Sequence, residues 1–174
     1  MADNFLLFSE VVPNLTAEEE DWLKSQLGYI AVNGDTEITV EDRDDEAAQD
    51  AQWVGIRGLR DCDDYDPAWD DLGFQYAFDD DDRKSAEWGR HLWIYAEDHG
   101  DVGRVAHIIR KFLKQFRPEQ CWSLTYATSC SKPRVGEFGG GAVFVTANEI
   151  QWQNADDFVQ QQRAAFETRK DETP

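Results

Sequence analysis

Between Asp101 and Pro118 the residues Val102, Val105, Ala106, Ile109, Phe112, Leu113 and Phe116 recur in steps of three and four. That period is one apolar face of an α-helix. Asp101 provides an N-cap. Arg110, Lys111, Lys114 and Arg117 load the C-terminal turns, where the helix dipole favours cations, and Pro118 stops the helix. A helix this one-sided is stable only against another apolar layer.

The other segments supply that layer. Residues 4–12, 52–56, 74–78, 91–96, 121–127 and 142–148 are apolar or alternating and read as strands. Residues 29–32 and 35–40 flank Asn33-Gly34, a two-residue hairpin signal. Thr16 and Glu19 form a capping box for a helix over 17–27. Trp22, Leu23 and Leu27 would face the core, with Gly28 in the left-handed position after the helix. A last helix runs from Asn154 or Ala155 to about Thr168, with Phe158, Ala165 and Phe166 on one side. The expectation is a single α+β domain over residues 1–168, a mainly antiparallel sheet with about three helices packed on one face. Residues 169–174 form a frayed tail.

Charge narrows the function classes. Residues 1–100 hold 27 acidic and 7 basic residues, a net of −20, whereas residues 101–174 hold 9 and 10, a net of +1. The acids cluster at 18–21, 42–50, 61–71 and 79–82. Such density repels nucleic acid and anionic membrane and selects basic partners. Adaptation to high salt would spread acids over the whole chain, which residues 101–174 do not follow. An aromatic share of 13% with seven Trp excludes a wholly disordered acidic tail. No window approaches the ~20 apolar residues of a membrane span. The N-terminus lacks the basic and long apolar regions of a secretory signal, so the expected location is the cytoplasm.

Motifs for catalysis or cofactors do not appear, and neither a cofactor nor a metal is expected. The cysteines, Cys62, Cys121 and Cys130, form no CxxC pair, which argues against a zinc ribbon. Reduced thiols are expected, with a Cys121–Cys130 disulfide as the alternative. His91, His99 and His107 match no metal-ligand motif, and Glu97-Asp98-His99 reads as a solvated turn rather than an acid/base cluster. An EF-hand starting at Asp61 fails, with Asp66 at its sixth position and Leu72 at its twelfth. The run Gly136-Glu137-Phe138-Gly139-Gly140-Gly141 leads into Ala142-Val143-Phe144, so it reads as a strand connection rather than a phosphate cradle. Arg104, His107, Lys111 and Lys114 form a basic stripe at helical spacing, read as paired with the acidic clusters of the same chain.

The segments Trp122–Ala127 (WSLTYA) and Cys130–Thr146 (CSKPRVGEFGGGAVFVT) resemble a signature of an uncharacterised family of small acidic bacterial proteins. The preceding helix and the stretch LTAEEEDW share in the resemblance, which takes in about half of the chain. It implies no activity and no residue roles.

The leading expectation is a non-catalytic acidic protein-binding module, with a DNA-mimic or immunity-type inhibitor of a basic nucleic-acid-handling protein as its sharp form. Its carboxylates would be Asp61, Asp63, Asp64, Asp66, Asp70, Asp71, Asp79, Asp80, Asp81 and Asp82. Tyr65, Trp69 and Trp88 would add aromatic anchors. The partner would be a nuclease or DNA-binding complex, with no direct nucleic-acid or membrane contact. The alternative is a small enzyme or small-ligand binder using the 129–141 loop, with Cys130, Lys132, Arg134 and Phe138.

Overall fold

The computed structural model describes residues 3–33, 35–40, 51–66, 71–78, 87–132 and 134–171. Its elements are β1 (Asn4–Val12), α1 (Ala17–Leu27), β2 (Tyr29–Asn33), β3 (Thr36–Val40), β4 (Gln52–Ile56), β5 (Gln75–Phe78), β6 (Leu92–Ala96), α2 (Val102–Phe116), β7 (Cys121–Cys130), β8 (Gly139–Thr146), β9 (Ile150–Asn154) and α3 (Ala155–Asp171). A 3₁₀ turn, Arg57–Leu59, follows β4.

Six strands form one antiparallel sheet in the order β5-β6-β1-β7-β8-β9. The first strand of the chain therefore sits near its middle, paired to β6 from Phe8 to Val12 and to β7 from Asn4 to Phe8. The remaining strands form a separate antiparallel sheet, β3-β2-β4. The architecture is α+β, mostly sheet, as the patterning predicts.

Strand alternation gives the large sheet an inner and an outer face. Phe8, Val12, Leu92, Ile94, Trp122, Leu124, Val143 and Val145 lie inward and are buried. They share one apolar cluster with the core residues of α1 and α2. α2 lies on this face against β7 and β8, and α1 packs on α2. Phe112 is fully buried, with Trp22 and Phe116 at 6.2 and 5.7 Å between ring centroids. Truncating such a ring to Ala costs about 3–5 kcal/mol. The small sheet has a minor cluster around Ala31 and Val40, with Tyr29 edge-on to Trp53 at 6.2 Å.

The capping box forms as expected: Thr16 Oγ1 accepts from Glu19 N at 3.2 Å, and Glu19 Oε2 accepts from Thr16 N at 2.7 Å. Gly28 departs from expectation. Its φ of −72° and ψ of 147° are extended, so the left-handed cap is absent. Space is what requires glycine there, since a Cβ would lie 2.7 Å from Thr39 Cγ2. In the hairpin Asn33 still pairs with Thr36, so it belongs to the strand rather than to the turn, where the sequence places it. Gly34 and the acidic run 42–50 lie outside the described residues.

The C-terminal third differs most. The sequence reads 142–148 as one strand, with no turn into a partner. Instead Thr146 Oγ1 accepts from Asn148 N and Glu149 N, at 3.2 and 3.1 Å, and turns the chain into the hairpin partner β9. Hydroxyl-to-backbone bonds of this kind are turn formers. α3 reaches Asp171, past the expected Thr168, and each of its side chains that the structure describes is exposed. α1 and α2 thus form the helical layer, and α3 stands outside it. Among the described residues no helix is long and apolar enough to cross a membrane.

Candidate functional site

The basic stripe of α2 turns onto the acidic segment after the 3₁₀ turn. His107 and Lys111 are four residues apart and so share one helix face. Both reach Asp61: Lys111 Nζ donates to Asp61 Oδ1 at 2.7 Å and to the Gly58 carbonyl at 3.2 Å, and His107 Nε2 lies 3.2 Å from the same Oδ1. Partial burial pushes the Asp61 carboxyl up, but the hydrogen bonds from Lys111 and His107 outweigh it and hold the group down at about 2.

Arg104, one turn earlier on α2, donates to the Asp71 carbonyl at 2.7 Å and pairs with Asp101 at 3.1 Å. Its guanidinium lies 5.4 Å from the Tyr65 ring centroid. Asp101 Oδ1 meanwhile caps α2 by accepting from Arg104 N at 3.0 Å. Arg104, His107 and Lys111 of the stripe thus pair with acids of the same chain.

The expected partner-binding residues divide. Asp61 is engaged by α2. Asp63, Asp64, Asp66 and Asp71 are exposed, and Asp71 Oδ1 also accepts from Gly73 N at 2.8 Å. Tyr65 is half-buried against the core, and its phenol oxygen accepts from Ile56 N at 2.7 Å, which gives the ring a structural duty. Trp88 is half-buried, edge-on to His91 at 5.4 Å. Trp69, Asp70, Asp79, Asp80, Asp81 and Asp82 lie outside the described residues.

Beside Arg104 an open hollow of about 580 Å³ is lined by Asp71, Asp98, His99 and Asp101. His99 is exposed and also borders a second hollow of about 340 Å³ with Ser129 and Glu137. Among the described residues no group of three or more His, Cys, Asp or Glu is placed to hold a metal ion.

The alternative loop site is rearranged. Its ends are strand: β7 continues to Cys130 and β8 begins at Gly139, which leaves only 131–138 between them. Cys130 is buried on the inner side of β7. Phe138 is exposed and lines a hollow of about 180 Å³ with Tyr126, Asn154 and Asp156; Lys132 and Arg134 are exposed and do not line it. Gly139-Gly140-Gly141 pair with Tyr126–Thr128 in the sheet. Gly140 has φ +150°, and a Cβ there would meet the Tyr126 carbonyl oxygen at 2.4 Å. The glycines are there for close backbone approach between strands.

The sequence reading missed the outer face of the large sheet. The registers place Phe5, Leu7, Ser9 and Val11 of β1 beside Trp93 and Tyr95 of β6 and Ser123, Thr125 and Ala127 of β7. Ala142 and Phe144 of β8, then Gln151 and Gln153 of β9, continue the same face. No strand residue on this face is charged, in a chain with 30% charged residues. Trp93 and Tyr95 stack at 4.1 Å and 22°, and Trp93 Nε1 donates to Ser9 Oγ at 2.9 Å. An open depression of about 530 Å³ runs along Leu7, Ser9, Trp93 and Tyr95, with Glu97 at its border. The signal for it was the lack of charge at both alternating sets of positions in 91–96 and 121–130. Among the described residues, the strand positions on this face are uncharged, and Glu97 borders its depression at one end.

No family model, curated protein or solved structure matches this chain.

Proposed function

We propose that this chain is a protein-binding module whose helical side meets a basic surface on its partner. The sharp form is an inhibitor that presents carboxylates where its target expects phosphates. One observation carries the reading: the cations of α2 nearest the acidic segment are already engaged by Asp61, Asp71 and Asp101, while the neighbouring Asp63 and Asp64 stay exposed. The local surface is therefore net negative. Glu18 and Asp21 of α1, also exposed, add to the same helical layer. Charge of one sign on one side steers a basic partner and sets its on-rate.

The test begins with capture on the tagged protein and a salt-step elution. The eluted basic protein is then purified and its association rate measured against ionic strength. The expected result is an association rate that falls at least tenfold between 50 and 500 mM salt, roughly as screening of exposed charges requires. Asp63→Asn with Asp64→Asn should lower it further at low salt. A complex indifferent to salt would overturn the reading.

A further inference from the structure

We propose that the hollow between His99 and the β7–β8 loop is a binding site for a small neutral polyol, a single sugar ring. The acidic-side reading plays no part in this, and none of Cys130, Lys132, Arg134 and Phe138 lines the hollow.

The backbone builds the site. Four segments converge there: the start of β1, the turn after β6, the end of β7 and the loop at 136–137. Leu6 N donates to the Asp98 carbonyl at 2.8 Å, so the His99 turn lies on β1. Gly100 permits that approach, because a Cβ there would lie 2.4 Å from Phe8 Cε1. The base of the loop is tied to the residue before β1: Ser131 N donates to the Asp3 carbonyl and Asp3 N donates to Ser131 Oγ, both at 2.9 Å. Gly136 then takes φ +82°, with open space where a Cβ would stand, and Glu137 returns to the hollow.

The side chains set the ligand class. Five polar ones border the hollow: Asn4, His99, Thr128, Ser129 and Glu137. Among the described residues none of the five has a hydrogen bond or ion pair through its side chain. The set mixes donors with acceptors. A sugar hydroxyl is both at once, so it can pair with any of them. Phe5 and Leu6 supply an apolar wall for the C–H face of the ring.

Other classes fit worse. No Lys or Arg lines the hollow, and Glu137 repels an anion, which disfavours phosphates and carboxylates. No group of three or more ligating side chains is placed for a metal among the described residues. One carboxylate stands among an amide, two hydroxyls and an imidazole, so hydrogen bonding rather than charge is the main attraction. The volume of about 340 Å³ is at the lower end for ligand pockets and suits one ring rather than a nucleotide.

The test is an NMR titration of the isotope-labelled full chain with D-glucose, D-galactose, D-mannose and N-acetyl-D-glucosamine, and with ethanolamine as a cationic probe. The expected result is saturable shifts of the amides around the hollow with at least one sugar. The Kd should be on the order of millimolar, as a ligand of about twelve heavy atoms allows. Asn4→Ala with Ser129→Ala should weaken binding about tenfold or more, the loss of two hydrogen bonds. Glu137→Gln keeps an accepting oxygen without the charge and should weaken binding less than Glu137→Ala. Unchanged melting would show that each variant folds. Salt should leave sugar binding unchanged, whereas it weakens a complex with a basic partner, so the two proposals fail separately. No saturable shift with any of the four sugars would overturn the inference. So would shifts that map elsewhere, or binding undiminished in the Asn4 and Ser129 double variant. Binding of ethanolamine alone, or equal losses in the two Glu137 variants, would overturn the neutral class and assign the hollow to cations.

Discussion

Arg117 grips Glu19 with two nitrogens, Nε to Oε1 at 2.6 Å and Nη2 to Oε2 at 2.9 Å. The pair ties the C-terminal end of α2 to the first turn of α1. Both side chains are nearly buried, at 13% and 8% exposure. Arg117 also donates to the carbonyls of Pro13 at 3.0 Å and Asn14 at 2.9 Å, and its guanidinium lies 5.1 Å from the Phe112 ring centroid. Removing one partner of a buried pair leaves the other charge uncompensated and costs about 3–5 kcal/mol. Arg117→Met should lower unfolding free energy by about that amount in a urea titration. Arg117→Lys should recover only part of it, because an ammonium cannot fork to a carboxylate and two carbonyls together. A Lys variant as stable as the parent would show that charge alone matters at this joint.

The same pair sets a pH dependence. The hydrogen bond from Arg117 holds the Glu19 carboxyl down at about 2, from an ordinary value of 4.5. A carboxyl depressed by folding contributes stability that is complete above its unfolded value and is lost as pH falls through the folded one. The window is therefore pH 4.5 down to about 2, with an upper bound of about 3 kcal/mol. Glu19→Gln should be less stable than the parent at neutral pH and show a shallower fall across this window. Equal acid slopes for the two proteins would remove Glu19 from the account.

The triple glycine gives a positional prediction. Gly140→Ala places a Cβ 2.4 Å from the Tyr126 carbonyl oxygen at φ +150°, so it should cost about 1–3 kcal/mol. Gly139→Ala meets only Thr128 Oγ1 at 3.1 Å and should cost less. Paired urea titrations of the two variants measure the difference. Equal effects would mean that strand propensity, rather than close approach, requires the glycines.

The thiols should react in order of exposure. Cys121 is exposed, Cys62 half-buried and Cys130 buried, and all three are free. Cys121 and Cys130 sit at opposite ends of β7, about 30 Å apart. A disulfide needs Cα atoms within about 7 Å, so the bridge left open by the sequence cannot form within one chain. An aromatic disulfide reagent should titrate one thiol rapidly in the native protein and all three in denaturant. Rapid reaction of Cys130 in the native state would contradict its burial.

How far the sequence was legible follows from the range of the forces involved. α1 and α2 were readable to within a residue, because caps and apolar period are local. The pairing of α2 cations with acids was readable in kind, since a basic helical stripe in a chain whose first 100 residues carry −20 has few other uses. Asp61 as the recipient was not, because it depends on how the 3₁₀ turn meets α2. The hairpin at Thr146 was missed because a continuous apolar run hides a turn made by one hydroxyl. The neutral outer face was missed because it is assembled by register: Phe5, Tyr95, Thr125 and Phe144 become neighbours on one surface only after six strands are ordered.

The placement of β1 has a consequence for synthesis. It leaves the ribosome before both of its neighbours, β6 and β7, which lie some 80 to 120 residues downstream. Until residue 130 has emerged, the central strand keeps an open edge. Contacts of such long sequence separation form slowly. During that interval residues 1–100, with their net −20, are already exposed, and repulsion among those carboxylates opposes contact between neighbouring chains. Charge of this kind therefore acts on the unfinished protein as a solubility tag.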